Sequence, residues 1–270
     1  MMELMLVPFA ACLVLVGIHA YLGIHVVERG VIFVDLALAQ IAALGSVCAV
    51  LLGLPLHSHN AYFMSLGFTF VGAAVFSLTR FGESDIPQEA VIGIAYVVAA
   101  AASVLVLDRI PGEAQHIKEM LVGNILFTDW KHVAWITALY GAVGLFHYVY
   151  RDRFILVSRD PAAAAAKGVS VRLWDFLFYA TFGFVVTSSV HVAGVLLVFS
   201  FLIIPAVCAM MFTKEFAKRL VFAWIAGSLT SLAGLYASGA WDLPTGAALV
   251  CGFGVLAAGC GAVKRLLARA

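Results

Sequence analysis

Hydrophobic runs of about twenty residues recur along the chain, and glycine, proline or charge closes most of them off. Nine stand out, at roughly 5–27, 32–54, 61–79, 90–107, 132–149, 172–189, 191–211, 220–239 and 244–263. About 20 apolar residues wound as an α-helix match the hydrocarbon thickness of a bilayer. The pattern therefore predicts an all-α integral membrane protein, a polytopic bundle of about nine transmembrane helices. Only Ser188, Ser189 and Val190 separate the sixth run from the seventh, so eight spans result if that join is not a break. No soluble domain or repeat interrupts the series, and residues 1–270 read as a single transmembrane domain. The first run follows Glu3 rather than a basic segment and lacks a small-residue cleavage site, so it reads as a span and not a signal peptide.

Composition supports this class. The chain is 64% hydrophobic and 11% charged, against about 45–50% and about 25% in soluble domains. The net charge of +1 excludes a basic nucleic-acid surface. Cys12, Cys48, Cys208, Cys251 and Cys260 lie in apolar runs without CxxC spacing, as small hydrophobes do. Basic residues orient the bundle. Arg29, Arg80, the 151–172 stretch, Lys214–Arg219 and the 264–269 tail fall on alternate loops and mark the cytoplasmic side. The 108–131 loop is the exception, its Arg109, Lys118 and Lys131 offset by four acids. Nine spans put the N-terminus outside and the C-terminus inside.

Two loops are more than connectors. Residues 113–126, EAQHIKEMLVGNIL, begin polar and end apolar, as an interfacial helix does. Residues 158–172, SRDPAAAAAKGVSVR, spell a short cytoplasmic helix. Ser158 or Asp160 can cap it, Pro161 suits its first turn, the alanines propagate it and Gly168 can end it. Such a helix is either a grip for a soluble partner or a capped connector.

Polar groups inside the spans carry the candidate chemistry. In FVDLALAQIAALG (33–45), Asp35 and Gln40 interrupt an apolar run. Five residues apart, they sit about 140° around a helix and share no face. Three roles fit Asp35: a transient ligand on a pathway, a partner of Arg29 or another base, or a cap for a neighbouring helix. Gln40 suits either a pathway or a helix–helix hydrogen bond. His57 and His59 form an outward HSH loop that is either a metal-receiving mouth or idle, and His191 opens the seventh run on the same side. Asn124 precedes the fifth run, where it lines a pathway or caps a helix. Glu89 suits the start of the fourth helix electrostatically. Gly194 and Pro205 are expected to permit close packing and a kink. His19, His25 and His147 belong to no constellation. No Ser/His/Asp triad, HExxH or GxxxxGK[ST] stretch occurs, so nothing in the chain points to an enzyme or to ATP hydrolysis by the chain itself.

Five stretches, in order, resemble the permease subunits of bacterial ABC-type zinc and manganese importers. They are ERGVIFVDLALAQIAALG (28–45), PQEAVIGIAYVVAAAA (87–102), MLVGNILFTDW (120–130), SRDPAAAAAKGVSV (158–171) and HVAGVLLVFSFLIIPAVCAMM (191–211). The resemblance implies a homodimer in the bacterial inner membrane, with an ABC ATPase subunit at the cytoplasmic face and a separate extracytoplasmic metal-binding protein. It implies transported Zn2+ or Mn2+, with iron as a further choice, and no permanently bound cofactor. It makes 159–168 the coupling helix, with Arg159, Asp160, Pro161, Ala164, Lys167 and Gly168 meeting the ATPase. A bulky charge at Ala164 is accordingly expected to abolish ATPase association. The metal-handling candidates are then Asp35, Gln40, His57, His59, Asn124 and His191. One departure matters: the family's second helix carries Asp and His four apart, whereas here alignment on Ala-Leu-Ala puts Gln40 in the histidine's place and Leu36 in the aspartate's, and alignment on Asp35 puts Ala39 in the histidine's. Import of a metal chelate or other small solute is a second reading, and an ATPase-independent carrier a third.

Overall fold

The computed structural model describes residues 2–55, 58–79, 87–110 and 125–269. Its long helices are α1 (Met2–Arg29), α2 (Val34–Leu51), α3 (His59–Leu78), α4 (Gln88–Leu107) and α5 (Trp130–Val149). Two short helices follow, α6 (Arg151–Arg159) and α7 (Pro161–Ala166), then four long ones: α8 (Val171–Ala193), α9 (Val195–Phe212), α10 (Phe216–Trp241) and α11 (Thr245–Leu267). The elements lie close to the predicted runs because a chain in hydrocarbon must satisfy its peptide groups internally.

Two boundaries differ from expectation. The chain does not break at 188–190: α8 continues to Ala193. Ser188 and Ser189 stay helical by donating their hydroxyls to Phe184 O (2.8 Å) and Val186 O (3.1 Å). The break falls at Gly194, whose φ of 76° suits a residue without a Cβ. The open question of eight or nine spans moves to α5 instead. Among the described residues eight helices are long and apolar enough to cross, and the count is nine if α5 and α6, joined across a 76° bend, form one span.

The chain forms two compact units. One comprises Met1–Val27, Leu121–Gly144 and His191–Ala270, the other Glu28–Met120 and Leu145–Val190. In the second unit α2 packs on α3 and α4. A Cβ on Gly45 would lie 2.7 Å from Ser65 Cα, so glycine is what allows α2 and α3 to approach. Ser65 Oγ then donates to Ala42 O at 2.7 Å. Thr69 on α3 meets Thr187 on α8 through their hydroxyls at 3.1 Å, and Phe70 meets Phe184 edge-on at 5.0 Å. Gln88, which opens α4, donates to Phe76 O (2.8 Å) and the Tyr179 hydroxyl (3.2 Å).

In the first unit α9, α10 and α11 pack on one another. Phe201 and Phe253 join α9 to α11 at 5.3 Å. A Cβ on Gly23 would overlap the Leu202 carbonyl, so α1 lies against α9 backbone to backbone. Trp224 Nε1 ties α10 to Gly17 O at 2.9 Å. Pro205 lies buried inside α9.

Candidate functional site

The sequence singles out α2, and its start is where buried polarity concentrates. Asp35 occupies the first turn of α2 and is wholly buried. Neither carboxylate oxygen meets a hydrogen-bond partner among the described residues. Pairing with Arg29, one of the three roles open to Asp35, is not formed. Arg29 instead pairs through Nη1 with Asp175 of α8, and both side chains are fully buried. Its Nε donates to Ser158 Oγ at 2.9 Å, and its guanidinium carbon lies 4.0 Å over the Phe178 ring. Glu89 does the capping: its Oε1 accepts from the Phe33 N–H at 3.1 Å, so its helix-terminus role is discharged at the start of α2 as well as in its own first turn.

Gln40 lies about one and a half turns further along and is half-buried. Its Nε2 donates to Ser103 Oγ of α4 at 3.4 Å, and Ser103 donates to Ala99 O at 2.8 Å. The helix–helix bond offered as one role for Gln40 is therefore present. No bond joins Asp35 to Gln40, as their angular separation requires. A second orphan shares the Asp35 face: Ser46 Oγ, buried and without a described partner. Eleven residues make about three turns, so Ser46 stands over Asp35 about 16 Å along α2. Chemically, α2 presents oxygen donors, the Asp35 carboxylate, the Ser46 hydroxyl and the Gln40 amide, which suit hard, partly hydrated divalent ions. Sequence reading passed over Ser46, Ser103 and Asp175, because serine is common in spans and Asp175 sits near a loop end.

The remaining ligand candidates are scattered. His59 is exposed at the first turn of α3, where Ser58 caps the helix by accepting from Ala61 N at 3.2 Å. His191 is exposed in the last turn of α8, rather than opening the next helix. His57, Asn124 and nearly all of the proposed interfacial helix 113–126 lie outside the described residues. No group of three or more His, Cys, Asp or Glu converges among the described residues. His19, His25 and His147 take packing roles. His19 Nδ1 meets Leu15 O at 2.8 Å, His25 lies 5.1 Å from the Phe216 ring, and His147 stacks on Phe154 at 4.1 Å while bonding Thr181 Oγ1 at 2.8 Å.

The short helix expected at 159–168 forms as its sequence dictates. Asp160 caps it by accepting from Ala163 N at 2.8 Å, Pro161 opens it, and Gly168 leaves it with a φ of 74°. Ser158, the other candidate cap, accepts from Arg29 instead. Arg159 pairs with Glu28 at 2.8 Å. Ala164 is 0% exposed, so it faces inward and a bulky charge there would disrupt packing before it tested any docking surface. The outward positions are Ala162, Ala165, Ala166 and Lys167.

The comparisons agree with this architecture. The manganese transport system membrane protein MntC of Halalkalibacterium halodurans is 26% identical over 239 residues, covering 88% of this chain and 80% of its own. A probable iron transport system membrane protein of Haemophilus influenzae is 27% identical, covering 86% and 83%. The solved structure of PsaBC from Streptococcus pneumoniae in complex with Fab shares the fold, with a TM-score of 0.79 at 18% identity over 96% of this chain and 91% of that one. A model of the ABC 3 transport family matches residues 1–259, and the chain belongs to that family.

Proposed function

We propose that this chain is the membrane-spanning permease subunit of an ATP-driven importer of a divalent transition metal ion, with manganese or iron(II) first and zinc next. The observation that carries the reading is the family match over 1–259. The names of the relatives direct it towards manganese and iron. The donors on α2 and on the adjoining α4 point the same way. Asp35, Gln40 and Ser103 offer oxygens, whereas zinc sites favour histidine and cysteine. A carboxylate without protein partners is a weak, reversible ligand, as a pathway requires, since a closed four-ligand site would hold its ion.

In this reading residues 1–270 work as a single permease domain in the bacterial inner membrane, paired with a second copy. The chain is not itself an enzyme. A separate ATPase binds the outward face of α7, with Asp160, Pro161 and Gly168 shaping that helix, Arg159 and Ala164 anchoring it, and Lys167 reaching the partner. An extracytoplasmic binding protein hands the ion to the side bearing His57, His59 and His191, and Asn124 lies along the route. The metal is cargo, and no cofactor stays bound.

Uptake into proteoliposomes holding the chain, its ATPase and its binding protein tests this reading. ATP-dependent accumulation of manganese or iron(II), lost in Asp35→Ala, is the expected outcome. Accumulation that ignores Asp35→Ala and Gln40→Ala moves the pathway off α2. Vigorous ATP hydrolysis without any metal movement overturns the metal assignment.

A further inference from the structure

Arg29 ends α1 and Asp35 is the second residue of α2, with only residues 30–34 between them. Both are fully buried and both are incompletely satisfied. Arg29 uses Nη1 on Asp175 and Nε on Ser158, yet its Nη2 donates to no described residue. Asp35 has two acceptor oxygens and no described partner for either. An unused cationic donor and an unused anionic acceptor thus flank one short turn. Burying such groups unpaired is costly, and the cost falls sharply once they meet. In that turn Gly30 holds a φ of 69°, and a Cβ there would meet nothing within 4 Å.

The same arginine is tied to the segment that carries α7. Ser158 and Arg159 close α6, immediately before Asp160 caps α7. They hold two adjacent residues, Arg29 and Glu28 respectively. A displacement of α7 therefore pulls directly on the end of α1 and on the arginine beside Asp35.

We propose that Arg29 is a positioning residue with two partners in turn: it holds Asp175 in this conformation and Asp35 in another, so that movement at α7 is felt at the start of α2. The inference rests on the transporter reading above for what moves α7. In that second conformation Arg29 then acts as a tethered cation that competes with a divalent ion for Asp35, and its return to Asp175 frees the carboxylate for cargo. Ligands and tethers shift such an equilibrium only through a difference in contacts between the two states, and the exchange of Asp175 for Asp35 is that difference.

The test uses the complete complex in nanodiscs, stripped of metal by a chelator so that no cargo can neutralise Asp35. Thermal unfolding is followed for wild type and Asp35→Asn, without nucleotide and after trapping with ATP and vanadate. Without nucleotide the substitution is expected not to lower Tm, because Asp35 has no partner to lose. In the trapped state it is expected to lower Tm by several degrees, because Arg29 loses its second partner. A change of the same sign and size in both states overturns the proposal.

Exchanging the charges in Arg29→Asp/Asp175→Arg provides a second readout. A purely structural tie would be restored by the exchange, and ATPase association and metal uptake would recover together; that result overturns the proposal. The two-partner role predicts recovered association and continuing ATP hydrolysis, with uptake still reduced at least about tenfold, since an acid at position 29 repels Asp35. Should the wild-type complex move no metal under ATP, the transport reading fails, while the signs of the Tm changes still decide the role of Arg29.

Discussion

Gly23 and Gly17 lie six residues apart on α1, yet their surroundings differ. A Cβ at Gly23 would strike the Leu202 backbone, whereas one at Gly17 meets nothing within 4 Å. Gly23→Ala is expected to destabilise by about 1–3 kcal/mol through overpacking. Gly17→Ala should be neutral or gain up to about 1 kcal/mol of helix propensity. Melting temperatures of the two variants in one detergent compare them directly. At Gln40 the question is whether its bond to Ser103 is its whole purpose. Losing that bond costs about 1 kcal/mol, so Gln40→Ala and Ser103→Ala should lower stability alike. A fall in uptake confined to Gln40→Ala would assign its carbonyl to the pathway. Asp175→Ala is the severe case, because it leaves a buried guanidinium without its counter-ion at a cost of about 3–5 kcal/mol. Chemical or thermal unfolding of that variant measures the loss. These contrasts between like residues depend on what each side chain meets, which a sequence does not state.

Among the elements, α7 was the most legible. Asp-Pro, five alanines and a glycine specify a cap, a first turn, a body and an exit, and each takes its expected part. Its facing was not legible, since five alanines in a row carry no amphipathic pattern. Ala164 lies inward, whereas Ala162, Ala165 and Ala166 lie outward. Ala165→Glu is therefore expected to release the ATPase in a pull-down with Tm unchanged, and Ala164→Glu to lower Tm itself. Asp160→Ala removes the cap and should cost about 1 kcal/mol. The α8–α9 boundary shows the opposite case. Two serines and a valine read as a loop, yet serine hydroxyls can bond back to the helix, and the glycine four residues on from Val190 makes the break.

At the scale of the molecule, the hydrogen bonds of one unit bear on how many times the chain crosses. Glu89 at the start of α4 bonds Phe33, and Ser158 bonds Arg29, so residues 29–33, 89 and 158 share one end. Twenty helical residues carry α4 about 30 Å away from that end. The chain must come back between Leu107 and Ser158, and α5 is the described segment long enough to do so. Impermeant thiol labelling of Arg109→Cys and Lys167→Cys, placed in a background without the native cysteines, is expected from opposite sides of the membrane. Labelling of both from one side would mean eight crossings.

Apolar run length alone determined that this chain is an all-helical membrane bundle, because hydrocarbon leaves a backbone no other means of satisfying its peptide groups. Turn chemistry determined the short helix at Pro161–Ala166. Only the tertiary structure decided that Arg29 belongs to Asp175 and Ser158, that Glu89 caps α2, and that Asp35 is left buried without a partner. The physical reason is range. Helix formation and capping are settled within a few residues, whereas the partner of a buried charge is settled by helices that lie far apart in sequence and meet only when the bundle packs.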